Sequence, residues 1–153
     1  LILDSNLILS DAQDASTAGF SENIIDTVEV GDAVNELYFV AYVETECVGS
    51  GTDTDGAGAV EVKLVTETDG AGAVEVKLVT EDELTNDNFN NPDILWTSGA
   101  VPVANLKDKY CFGMVRLPKP EKVKRYIGAQ IVPTTIASGK LDIYLTDNPQ
   151  TNI

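Results

Sequence analysis

Any chemistry this chain performs must be done without an imidazole. The 153 residues contain no histidine, which removes the most frequent general base, the usual proton shuttle and the commonest zinc ligand together. Two thiols remain, Cys47 and Cys111, 64 positions apart and in no CxxC arrangement. They read as two reduced cysteines lying in strands rather than as a redox or metal pair, with a disulfide between them as the alternative. Serine and cysteine have no histidine to activate them, so a hydrolase of the ordinary kind is not expected. The 25 acidic residues can be paired for glycoside hydrolysis in so many ways that the sequence singles out none. Asp53, Asp55 and Gly56 match part of a calcium loop, but the full pattern needs acids at Gly51 and Val62. GAGAV is no phosphate loop, because neither copy leads into a helix and no GK[ST] follows. No catalytic, cofactor or metal residue is assigned, and a non-enzyme is expected.

Charge is the stronger signal. The formal net charge is -15, and it is unevenly placed. Residues 1 to 106 hold 21 acids against two bases, Lys63 and Lys77, whereas residues 107 to 125 hold seven bases against two acids. An acidic body argues against nucleic acid as partner, since that binding is driven by Lys and Arg neutralising phosphates. The basic stretch RLPKPEKVKRY presents Arg116, Lys119, Lys122, Lys124 and Arg125 around two prolines. These five residues are the candidate protein interface, in electrostatic contact with an acidic partner. The plainer reading is a solvated loop whose charges protect sheet edges.

The elements that must carry these residues are strands. ELYFVAYVET places Leu37, Phe39, Ala41 and Val43 on one face and Tyr38, Val40 and Tyr42 on the other, a pattern expected of a central strand covered on both sides. VEVKLVT alternates in the same way, as do KYCFGMVRL, KRYIGAQIVP and KLDIYLTD, the last with Leu141, Ile143 and Leu145 inward and Lys140, Asp142 and Tyr144 outward. Turn chemistry separates them at VGD, GSGTDTDGAG, NNPD, LPKPEK and ASGK. EDELTNDNF at 81–89 is either one or two helical turns or a loop. No apolar run approaches the ~20 residues of a membrane helix. LILDSNLILS lacks the basic flank and cleavage site of a secretory signal, so a soluble chain with no membrane partner is expected. About eight strands in one chain predict a single all-β domain over 1–153, an antiparallel two-sheet β-sandwich, with the jelly roll as one such closure.

One segment is written twice. TDGAGAVEVKLVTE occupies 54–67 and again 68–81 without a difference. Fourteen is even, so an inserted copy preserves which side chains face the core. The Asp69-Gly70 step between the copies suits a tight hairpin. The two copies are therefore expected as adjacent antiparallel strands, or as one strand plus an exposed hairpin, with 54–67 dispensable. A slip in the sequence itself is the alternative, and no activity is attached to the repeat.

The order of several short words adds a resemblance: SDAQ at 10–13, NIID at 23–26, LYFVAYVET at 37–45, VEVKLVTED at 74–82, WTSGAVPVANLKDKY at 96–110, RLP at 116–118 and RYIGAQI at 125–131. This series resembles the capsid cement proteins of tailed bacteriophages, the family typified by the Bordetella phage cement protein, over nearly the whole chain. The resemblance implies a jelly-roll sandwich on the outer capsid surface of the virion, assembled in the bacterial host cytoplasm. It further implies a homo-oligomer, a dimer on local twofold axes, with the major capsid protein as partner and no cofactor. The family pattern has one strand where this chain has two copies, so 54–67 reads as the addition. The competing expectation is a viral jelly-roll module that binds carbohydrate or a host receptor, which would need exposed aromatics beside acids or amides. The one tryptophan, Trp96 in ILWTSGAV, is expected at a buried strand end rather than on such a platform.

Overall fold

The computed structural model describes residues 7–27, 37–49, 72–118 and 122–147. Alternation becomes pairing in two sheets. Sheet I has the order β1 (Ile8–Asp14), β10 (Ile136–Thr146), β4 (Tyr38–Gly49), β8 (Cys111–Arg116). Sheet II has the order β2 (Gly19–Phe20), β9 (Tyr126–Thr134), β5 (Ala73–Glu81), β6 (Asp93–Thr97), with β3 (Ile25–Asp26) also on β9 and β7 (Val101–Pro102) also on β5. Every pairing is antiparallel. The pairing is nested: β1 meets β10, β2 meets β9, β4 meets β8 and β5 meets β6, so the first half of the chain lies against the second in reverse order. The molecule is an all-β sandwich, and the helical content of the described residues is small, with a 3-10 turn at Val103–Asn105.

Period-two patterning accounts for the core. Phe39, Ala41 and Val43 of β4 and Leu141, Ile143 and Leu145 of β10 meet Val74, Val76 and Leu78 of β5 and Ile127, Ala129 and Ile131 of β9, all essentially without solvent contact. Each such Val, Leu, Ile or Phe side chain contributes about 1.5–3 kcal/mol relative to exposure. β4 is interior, between β10 and β8, as its two-sided apolar pattern predicts. Its outer-face Val40 is fully buried, as is Tyr144 beside it on β10, although Tyr144 points away from the core.

Three expectations are changed or narrowed to one of their alternatives. ASGK is no turn: it lies inside β10, and the chain reverses two residues before it, at Thr135 with φ 55°. Gly139, at φ 142°, sits against Cys47, where a Cβ would come within 2.6 Å of Sγ, so this glycine serves close packing in a bulged ladder. EDELTNDNF forms no helical turn. Thr85 and Asn88 exchange backbone hydrogen bonds around Asn86 and Asp87, both at positive φ, which is the geometry of a two-residue hairpin turn.

Third, the second copy of the repeat supplies β5, but that strand has no edge left for the other copy. β9 pairs along its whole length on one side; β6, β7 and Ser98 occupy the other. The copy at 54–67 lies outside the described residues, as does the Asp53, Asp55 and Gly56 triplet. Both cysteines are free, Cys47 buried and Cys111 exposed.

Candidate interaction surface

The basic stretch runs from the end of β8 in sheet I to the start of β9 in sheet II, across one end of the sandwich. Leu117 anchors it: its amide donates to the Leu37 carbonyl at 3.0 Å and its side chain is buried. At the far end the Lys124 amide donates to the Thr80 hydroxyl, which itself donates to the Tyr126 carbonyl. The stretch is therefore pinned at both ends to the sheets it joins.

Its charges are not equivalent. Arg125 makes a two-pronged contact with Asp26, Nε to Oδ1 at 3.1 Å and Nη2 to Oδ2 at 3.0 Å, and its guanidinium lies 5.0 Å from the centroid of the Tyr126 ring. Lys124 Nζ is 2.8 Å from Asp93 Oδ2, and this hydrogen bond, with the Asp93 charge, raises the Lys124 pKa. Arg116 and Lys122 are exposed and make no ion pair with a described residue. Lys119 lies outside the described residues. The five predicted interface residues thus divide: two are spent on the protein's own acids, and two project as exposed cations. The sequence signal for the pairing was weak, since Asp26 is 99 residues from Arg125 and meets it only because β3 pairs with β9.

The two outer faces are finished differently. On sheet II, Phe89 from the loop 82–92 lies over Gly128, so closely that no Cβ fits there, and stacks on Phe20 with ring centroids 5.3 Å apart. The Glu81 carboxylate holds this loop down by accepting the Asn90 and Asn91 amides at 2.9–3.2 Å. On sheet I, Tyr38, Val40, Tyr42, Met114 and Tyr144 share the outer face by register. Tyr42 and Tyr144 meet edge to face with centroids 6.0 Å apart. Burial, and then hydrogen bonding to Asp142, pushes the Tyr42 hydroxyl far up; burial raises Tyr144 to about 12. Trp96 is not a platform: half-buried, it packs on Phe39 at 5.8 Å and against Gly113, closing one side of the sandwich.

Burial also pushes the Cys47 thiol up to about 11 and raises Cys111, so both are protonated at neutral pH. Among the described residues, no three cysteine or acidic side chains converge to hold a metal ion. No family model and no curated protein matches the chain. What the described surface offers is an acidic exterior and, at one end, the exposed cations Arg116 and Lys122.

Proposed function

We propose that this chain is a structural virion protein that binds the outer surface of an icosahedral phage capsid and cements neighbouring capsomers. The nested strand order carries the reading. Two antiparallel sheets whose strands pair first with last and inward in turn support a jelly-roll closure, an architecture that viral capsid and lectin domains use. The ordered words of the resemblance fall on that frame, with SDAQ in β1, most of LYFVAYVET in β4 and most of RYIGAQI in β9.

The mechanism is multivalent attachment. Each copy contacts the major capsid protein and another copy of itself, as a homodimer, and many modest contacts must break together before capsomers separate. Arg116 and Lys122 orient the approach of an acidic body to the shell, and apolar burial holds the joint, because exposed ion pairs contribute only about 0.2–1 kcal/mol each. The rival carbohydrate-binding reading loses its best aromatic, since Trp96 packs inward.

The test is co-sedimentation of the purified protein with empty shells of the cognate phage, beside a glycan array. Stoichiometric decoration of shells is expected. Glycan binding without decoration would replace this reading with the rival.

A further inference from the structure

Sheet edges expose unpaired backbone groups, and proteins blunt them with short strands, bulges, charges or covering segments. Nearly every edge of this sandwich carries such a device. β2, β3 and β7 are two residues each. β6 opens on Asp93 and is bulged against β5. β1 is shifted in register twice, and Asn23 covers it, its amide donating to the Leu9 carbonyl at 2.9 Å and its side chain to the Ile8 carbonyl at 3.1 Å.

β8 differs. Its one irregularity is at the Cys111 end, and the register from Gly113 to Arg116 is unbroken. The Leu117 amide bonds the Leu37 carbonyl, which fixes Leu37 and Leu117 as a bonded pair. Bonded and non-bonded pairs alternate in an antiparallel ladder, so Val115 and Gly113 turn their backbone groups toward β4. Met114 and Arg116 turn theirs away, along the outer edge. No described residue bonds those outward groups. On the inner side, Trp96 braces Gly113 and keeps the strand in place.

We infer that the outer edge of β8 receives an extended strand of a partner protein, one with an acidic residue at each end and uncharged residues between. Main-chain bonds to Met114 and Arg116 supply the register, and the outer-face side chains of the same two residues lie beside the added strand. Charge selects the occupant. In a chain of net charge -15, both ends of this edge are basic: Lys109 precedes the strand and Arg116 ends it, both exposed. Antiparallel pairing with a second β8 would set Arg116 of each copy at the Lys109 end of the other, like against like, so a second copy is disfavoured. That the shell protein supplies this strand rests on the proposed cementing role; the chemistry of the strand does not.

The test needs no shell. Amide hydrogen exchange is followed on the full chain with a seven-residue peptide of alternating valine and threonine carrying an aspartate at each end, and with its lysine-ended counterpart. The aspartate peptide is expected to slow exchange at Met114 and Arg116 at least tenfold at saturation, and the lysine peptide to bind at least tenfold more weakly. Met114→Pro deletes one outward N–H without touching the β4 ladder, and proline is tolerated at such edge positions. It should weaken the aspartate peptide at least tenfold while the β spectrum persists. Should that variant fail to fold, Met114→Glu puts an acid beside the edge, which should weaken the aspartate peptide to the same end. Unchanged exchange at millimolar peptide, or equal protection by both peptides, overturns the inference. Protection that grows with the protein's own concentration also overturns it, in favour of self-pairing. Shell decoration by a chain that ignores the peptide removes the β8 edge alone; peptide binding without decoration removes the cementing role alone.

Discussion

Gly113 carries no side chain because the Trp96 ring occupies that space, with a Cβ there falling 2.5 Å from the indole. Gly113→Ala should therefore destabilise the fold by about 1–3 kcal/mol, the usual range for overpacking, and shift tryptophan emission to the red as the ring is displaced. Urea denaturation read by fluorescence measures both. The thiols make a second prediction at this scale. Cys111 is exposed and should react with a disulfide reagent in the native protein, while Cys47, without solvent contact, should react only on unfolding. The Cys47 pKa is raised from 9.0 to about 11 by burial. A raised folded pKa means that the unfolded chain ionises first, so the stability this group confers is whole below pH 9 and is lost as pH climbs towards 11. Cys47→Ala should flatten that part of the alkaline stability profile, although the cavity lowers its level.

The loop 82–92 is an element without regular secondary structure, yet three features fix it: its hairpin turn, the insertion of Phe89 over Gly128, and the Glu81 carboxylate under Asn90 and Asn91. Glu81→Ala should cost about 1–2 kcal/mol and accelerate exchange of the Asn90 and Asn91 amides well beyond that of β5, since a charged acceptor is lost from two donors. Phe89 then loosens over sheet II. The same reasoning applies to the repeat. β5 is built from 73–81, and both its edges are taken by described strands, so deleting 54–67 removes no partner from the ladder. The shortened chain should fold cooperatively with an unchanged β spectrum; aggregation on expression would contradict this.

For the molecule as a whole, the proposed cementing role would require an acidic body to meet its partner through a face that escapes repulsion if that partner is also acidic. Replacing Lys119, Lys122 and Lys124 by Glu should slow attachment to shells and reverse its salt dependence, while the β spectrum is kept, because the Lys124–Asp93 pair is solvent-exposed. Wild-type attachment rates at both low and high salt would make the basic stretch a solvated connection only. Reversing Lys122 alone should capture more of the effect than reversing Arg125, whose charge is already engaged with Asp26.

The sequence by itself determined the strands and their faces. Phe39, Ala41 and Val43, or Leu141, Ile143 and Leu145, could be assigned inward because alternation is local, needing only neighbours in the chain. The even length of the repeat was legible for the same reason. Turns were less so: Gly139 looked like turn chemistry, and only the approach of Cys47 from β4 reveals it as a packing glycine. Tertiary structure alone decided the partners. That Arg125 is bound to Asp26, that Lys124 faces Asp93, that Tyr144 is buried on an outer face and that β8 pairs with β4 alone among the described strands all depend on which strands lie side by side. A charge or an apolar residue is identical in sequence whether or not a distant strand brings it a neighbour. Contacts across 99 residues are set by the nested pairing of the sheets, and one-dimensional patterning carries no term for them.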